Sequence, residues 1–328
     1  MSKFNFKLYN PELKERFLSQ YPEDTQITHG YTLSKAYDEE NFFEKDLYEF
    51  NIEEIKKVLY KINPINLRAS LRYGNTIKNY IDWAHRNGYA MSNINNPLQG
   101  MDTEWYKQFT GNKKTLFSYQ EVREMLKELV NFQDQLPILL AFEGVLGEDM
   151  SEQANLNFNS YDPNSNTLKL KDDAKGERTI EVSDECIAMI GRAHREPTYQ
   201  YKNGTSTGKL KERELPESKF VLRAGSRSDS DQDAPISKFV LYRRLREIKE
   251  VCDYPYLSFK SLSKSGQIKM AVDLFNERGK LTNDELELIA IKFNLSKTMN
   301  NGEAYNYSSM REYINRETIL ELYDIDIM

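Results

Sequence analysis

The segment NTLKLKDDAKGERTIEVSD, residues 166–184, sets the character of the second half of the chain. In NTLKLKD (166–172) and RTIEVSD (178–184) apolar and polar residues alternate, which is the period of a half-buried strand. DAKGE between them supplies the turn. One β-hairpin is therefore expected, and almost everything around it reads as helix. Downstream, 184–194, 236–251, 261–276, 282–293 and 308–322 carry apolar residues at helical spacing. Segment 196–235 is rich in Gly, Ser, Thr, Asp and Lys and reads as a long loop holding one short strand, KFVLRA (219–224). Upstream, LFSYQEVREMLKELVNF begins a helix at Ser118, three residues before Glu121, the spacing of a capping box. A second apolar helix is expected over 135–146.

The first third is helical throughout, with segments 11–19, 36–48, 52–61, 69–87 and 103–109. The clearest is ASLRYGNTIKNYIDWAHRN (69–87). Leu71, Ile77, Ile81 and Ala84 share one face. Arg68, Arg72, Asn75, Asn79, Asp82 and Arg86, with Lys78 beside them, follow another at steps of three or four. Arginine and asparagine suit phosphate and base-edge contacts. Pro97, Gly100 and TGNKKT mark a linker over 92–114. The expected domains are 1–108 and 109–328.

Composition narrows the function. At 328 residues and a formal net charge of -6 the chain is long enough for two folded domains. Two isolated cysteines, Cys186 and Cys252, make neither a disulfide framework nor a zinc pattern and fit a reducing cytoplasm. The N-terminus is too polar for a signal peptide, and no run is long enough for a membrane span. No membrane, metal or cofactor partner is expected. No Gly-rich phosphate loop or nucleophile elbow is present, and there are only three histidines, His29, His85 and His194. The acidic total hides two basic blocks. Residues 51–100 carry 7 basic and 3 acidic side chains, and residues 192–269 carry 17 and 10. A polyanion responds to such local fields rather than to the overall charge.

The order of these elements, a small helical domain with a basic helix and then a larger helical domain with one hairpin, resembles the tyrosine recombinases of the phage integrase type. TIKNYIDWAHRNGYAMSNINNPL is similar to the end of that family's core-binding domain, and KTLFSYQEVREMLKEL to the start of its catalytic domain. FEGVLGEDMSEQANLNFNSYD resembles the segment of the first catalytic arginine, KGERTIEV the hairpin of the catalytic lysine, YLSFKSLSKSGQIKM the H-x-x-R box, and IKFNLSKTMNNGEAYNY the stretch that ends at the nucleophilic tyrosine. The resemblance implies a mainly α fold whose two domains close around a duplex. It also implies a catalytic set that this chain lacks in part. The first arginine position holds Asp149, or Leu146 in a shifted alignment, and no arginine lies between Arg123 and Arg178. The H-x-x-R box holds Lys260 and Ser263, and no histidine follows His194. Lys175 fits the hairpin lysine and Tyr305 or Tyr307 the nucleophile. Without the arginine pair most of the electrostatic stabilisation of a phosphoryl transition state is missing, so no enzymatic activity is expected.

What the resemblance leaves is a DNA-holding surface. Its expected contacts are the polar stripe of the basic helix, Lys175, Arg178, Arg223, Arg227, Arg243, Arg244, Lys260 and Lys264, since lysines hold phosphates as point charges even without catalytic geometry. The implied function is sequence-specific binding of double-stranded operator DNA, as a prophage repressor that maintains lysogeny in the bacterial cytoplasm. A protein antagonist and self-association through 308–328 are further implied partners. Two alternatives stay open: a recombinase with a rearranged site using Tyr305 or Tyr307, and a protein-interaction module that does not bind DNA.

Overall fold

The computed structural model describes residues 6–89, 95–111, 113–224, 234–298 and 304–327, in two compact units, Met1–Lys113 and Lys114–Met328. Arg227 lies outside the described residues. Among those residues no helix is long and apolar enough to cross a membrane.

The first unit is all helix: α1 (Pro11–Leu18), α2 (Glu23–Phe43), α3 (Ile52–Ile62), α4 (Leu67–Arg86) and α5 (Thr103–Lys107). Phe17, Leu33, Phe50, Ile55, Leu59, Ile77, Tyr80 and Ile81 form its core. The sequence pattern placed a helix only over 36–48. Instead α2 starts at Glu23 and ends where Glu44 turns left-handed at φ 54°. Its first half lacks a clear apolar stripe, and Gly30 interrupts it so that the Phe6 ring can approach, 2.4 Å from where a Cβ would stand. α4 is fixed at its start by the Asn66 side chain, which accepts from the Ala69 amide.

An ionic cluster sits inside this unit. Lys14 is fully buried and donates to Glu40 (2.5 Å), to Asp46 (3.4 Å) and to the Tyr9 carbonyl (2.8 Å). Tyr80 donates to Asp46 at 2.8 Å. One cation faces two carboxyl groups, so burial raises the Glu40 pKa to about 7, against the pull of Lys14.

The second unit opens with α6 (Tyr119–Glu128), capped by Ser118 and Glu121 as expected, and α7 (Phe132–Phe142). After the single turn α8 (Ser151–Ala154) come β1 (Tyr161–Asp162), β2 (Thr167–Asp172) and β3 (Gly176–Glu181). The hairpin β2–β3 runs from Thr167 opposite Glu181 to Asp172 opposite Gly176, and β1 adds a third antiparallel strand. α9 (Asp184–Arg195) follows. The expected strand at 219–224 is absent. Two others, β4 (Thr198–Gln200) and β5 (Glu212–Glu214), pair antiparallel, while Phe220 makes only an isolated bridge to Asn157. Val221 and Leu222 explain the apolar run differently, as buried core residues.

α10 (Lys238–Val251), α11 (Phe259–Arg278), α12 (Asn283–Lys292), β6 (Lys297–Thr298), β7 (Ala304–Tyr305), α13 (Tyr307–Arg311) and α14 (Arg316–Tyr323) complete the unit. α11 lies directly on α7, and a Cβ at Gly266 would stand 1.7 Å from the Phe142 carbonyl oxygen. The helix expected over 308–322 is broken into α13 and α14 at 312–315, where Asn315 caps the second piece. That segment packs on its own unit. Ile319 is fully buried, and the Tyr323 hydroxyl accepts from the Tyr119 amide at 3.1 Å.

Candidate nucleic-acid interface

In the first unit, Arg68, Arg72, Asn75, Asn79 and Arg86 are exposed along α4, with Lys78 half-buried beside them. The opposite face carries Ile77, Tyr80, Ile81 and Ala84 into the core. The polar stripe read from the spacing is thus a continuous solvent-facing edge. Its acid, Asp82, accepts from Asn96 at 2.8 Å, a local tie within the unit.

In the second unit the expected residues separate into two groups. Four bind acceptors within the unit. Arg178 on β3 meets Glu152 through two hydrogen bonds, Nε–Oε1 at 2.5 Å and Nη2–Oε2 at 2.8 Å. Its remaining donors go to the carbonyls of Lys292 (2.6 Å) and Gly144 (2.7 Å). Glu152 is fully buried and also accepts from the Leu146 amide at 3.0 Å. Lys175 at the hairpin turn is exposed, and its ammonium donates to the Asn294 carbonyl. Arg223 is 7% exposed and donates to the Ala193 and Glu196 carbonyls at the end of α9, and to that of Pro216. It does the work of a helix C-cap.

Arg244 is 4% exposed and reaches the Gln133 carbonyl at 3.3 Å. In α7 that carbonyl would receive the amide of residue 137, which is a proline without one. Arg178, Arg223 and Arg244 therefore leave the set of surface DNA contacts, because their guanidinium donors satisfy buried carbonyls and carboxylates.

The other group faces solvent. Arg243, Lys260 and Lys264 are exposed. The Lys264 ammonium lies 4.5 Å from the centre of the Tyr313 ring. Of the neighbouring positions 243 and 244 on α10 the first is exposed and the second buried, a difference their adjacency in sequence does not reveal. The reading also missed Phe239, Tyr242 and Arg246, which share the exposed side of α10 with Arg243. Their spacing of three and four residues was the available signal. The Tyr242 ring lies 6.0 Å from that of Phe259, at the start of α11, so this face adjoins Lys260.

The positions aligned in the sequence with the family's catalytic set differ in character. Asp149 is exposed, left-handed at φ 52°, and paired with Lys238 at 2.5 Å. Ser263 is buried within α11. The 147–152 loop is tied to the hairpin by Asp172, which accepts from the amides of Glu148 (3.1 Å) and Ala174 (2.8 Å). Partial burial opposes ionisation of Asp172, but these amides hold its carboxyl below the usual range. Tyr305 is half-buried, with the Lys297 ammonium 5.5 Å from its ring centre. The Tyr307 phenol is pushed up by desolvation and by the carboxylates of Glu287 and Asp284, the reverse of what a nucleophile needs. Among the described residues no three His, Cys, Asp or Glu side chains gather as metal ligands.

A helical core-binding unit followed by a helical unit with one central hairpin defines a tyrosine-recombinase-like protein. Residues 8–86 match the model of the MrpR N-terminal core-binding domain, and residues 116–324 that of the MrpR C-terminal catalytic domain. The chain belongs to the MrpR family. It is 30% identical over 320 residues to the SPbeta prophage-derived uncharacterized protein YopR of Bacillus subtilis (strain 168), covering 96% of this chain and 97% of that one. Among solved structures it is similar to a lambda integrase (75–356) dimer bound to a COC' core site, at 9% identity and a TM-score of 0.47, covering 93% of this chain and 94% of the other. It is also similar to XerA recombinase, at 10% identity and a TM-score of 0.42, covering 96% and 98%.

Proposed function

We propose that this chain is a sequence-specific binder of double-stranded DNA that acts as a prophage transcriptional repressor, maintains lysogeny and does not cleave DNA. One observation carries this reading. Of the hairpin cations, Arg178 binds the buried Glu152 and the exposed Lys175 is tied to the Asn294 carbonyl, while Arg243, Lys260 and Lys264 stay at the surface. The parts of the fold suited to holding phosphates are exposed, and the parts suited to phosphoryl chemistry have become internal ties. An aspartate at 149 would repel a phosphodiester, and a serine at 263 offers no cation to a developing oxyanion. The relation to a prophage-derived protein supports the phage context, and with it a place in the bacterial cytoplasm, on the host nucleoid.

The test is selection from a randomised duplex pool at near-physiological salt, followed by incubation of the enriched duplex, nicked and intact, with the protein. The expected result is a short recurrent motif and no covalent protein–DNA product. A covalent product that disappears in Tyr305→Phe or Tyr307→Phe would establish the recombinase alternative instead. Absence of any enriched sequence would favour the protein-interaction alternative.

A further inference from the structure

A cleft of about 570 Å³ opens in the second unit where the end of α9 meets β4 and the start of α7. Ligand sites are of this size, roughly 300–1,000 Å³. Three features meet there, and the first is a strand edge. The Leu215 amide donates to the Pro197 carbonyl and the Tyr201 amide to the Lys211 carbonyl, both at 2.9 Å. Residues 197, 199 and 201 therefore bond toward β5, and residues 198 and 200 face outward. At Gln200 the Asn131 side chain takes the outward groups. Its nitrogen donates to the Gln200 carbonyl (2.9 Å) and its oxygen accepts from the Gln200 amide (2.7 Å). Asn131 thus copies one residue of a neighbouring strand. At Thr198, the next outward position, neither backbone group has a partner among the described residues, and Thr198 lines the cleft.

The second feature is charge. Arg192 and Arg195, three residues apart at the end of α9, are exposed, and neither guanidinium pairs with a carboxylate among the described residues. Glu196 also lines the cleft, but its carboxylate already accepts from the amides of Phe132 (2.9 Å) and Gln133 (2.8 Å). Glu214 and Glu217 line an adjoining depression instead. The third feature is an apolar wall. Val130 is 50% exposed, Pro197 is exposed, and the half-buried Phe132 ring carries the Arg192 guanidinium 5.7 Å from its centre.

We propose that this cleft binds an extended acidic segment of a partner protein, which adds a strand to β4 at Thr198, sets its carboxylates on Arg192 and Arg195, and rests its apolar side chains on Val130, Phe132 and Pro197. Strand addition draws affinity from main-chain hydrogen bonds and specificity from side-chain contacts. Successive side chains of an extended segment point to opposite faces, so alternate acidic and apolar residues can reach the cations and the wall. A DNA duplex would use the two arginines for phosphates but leave the strand edge and the apolar wall uncovered. This partner site is independent of duplex binding by the chain.

The probe is a fluorescein-labelled octapeptide of alternating glutamate and valine, titrated with the full chain and followed by anisotropy. Saturable binding is expected, and none for the counterpart with lysine in place of glutamate. Arg192→Ala with Arg195→Ala should weaken binding about tenfold or more, the worth of a hydrogen bond to a charged group. Both side chains are exposed, so the variant should fold as the wild type does. Two further peptides carry N-methyl groups on the valine amides or on the glutamate amides. Each blocks one edge of the added strand, and at least one of them should lose about tenfold in affinity. Full affinity of both methylated peptides would overturn the inference, as would wild-type affinity in the double variant. A wild type that did not bind the peptide, but whose salt slope for duplex fell by about 1.8 in the double variant, would overturn it and assign the two arginines to DNA phosphates.

Discussion

Removal of the Arg178 side chain separates a structural role from a DNA contact. Its guanidinium meets Glu152 at 2.5 and 2.8 Å, and Glu152 is fully buried. Arg178→Ala would leave a carboxylate inside the second unit with only the Leu146 amide at 3.0 Å and the weaker 3.4 Å approach of Asn294. Breaking one side of a buried pair costs about 3–5 kcal/mol. In a unit of this size that lowers the melting temperature by roughly 6–20 °C. Both tryptophans, Trp83 and Trp105, lie in the first unit. Tryptophan fluorescence therefore follows the first unit alone, and far-ultraviolet circular dichroism follows both. Only the dichroism transition should shift. The double variant Glu152→Gln, Arg178→Met should recover most of the loss, since neither residue then carries a buried charge. A surface phosphate contact behaves in the opposite way, with stability within about 0.5 kcal/mol of wild type and a log–log salt slope of binding reduced by about 0.9. That pair of results would refute the internal role.

Three further outcomes are expected. Lys260→Ala with Lys264→Ala should flatten the salt dependence of duplex binding by up to about 1.8 in slope, about 0.9 for each lost phosphate contact, and an unchanged slope would place the DNA elsewhere. Gly266→Ala should weaken the second unit by at least about 1–3 kcal/mol, because a Cβ there meets the Phe142 carbonyl and α11 must move off α7; wild-type urea unfolding would count against that close approach. In the first unit, burial raises Glu40 from 4.5 to about 7, so the folded state holds its proton more tightly than the unfolded chain. This contribution to stability is complete below about pH 4.5 and is lost as pH rises toward 7. Burial lowers the His29 pKa and gives a trend of opposite sign, so the decisive quantity is the difference between wild type and Glu40→Gln in urea unfolding followed by tryptophan fluorescence. A difference that does not change across that range would show that Glu40 is not the titrating group.

The hairpin, the caps and the polar edge of α4 were legible because each rests on local spacing. Ser118 with Glu121, and the alternation in 166–184, need no tertiary information. The roles of the arginines were not legible for the opposite reason. Arg244 supplies a donor to a carbonyl left open by Pro137, more than a hundred residues earlier in the chain. Arg223 closes the end of α9, and Arg178 joins segments near 144, 152 and 292. Nothing in the residue type distinguishes such an arginine from one that faces a phosphate, and a basic block counts both alike. The aromatic half of the α10 face was missed because arginine drew the reading toward charge. Phe239 and Tyr242 lie on the same side as Arg243, and the stripe is visible once the helix has its register. The strand expected over 219–224 was misplaced because an apolar run fits a buried loop as well as a strand.

The tie between Arg178 and Glu152 also bears on how this sequence can drift. Arg178 fills four acceptor positions drawn from two distant parts of the chain, the 144–152 segment and Lys292, so neither partner can be exchanged by itself without leaving a buried charge or open carbonyls. Gly144, held at φ 96° with its missing Cβ 3.2 Å from the Lys292 carbonyl, belongs to the same knot. Members of the family should therefore inherit Glu152 and Arg178 together or lose them together, and Gly144 should persist wherever the pair does. A chain that kept one without the other would need a new partner for it in the same place.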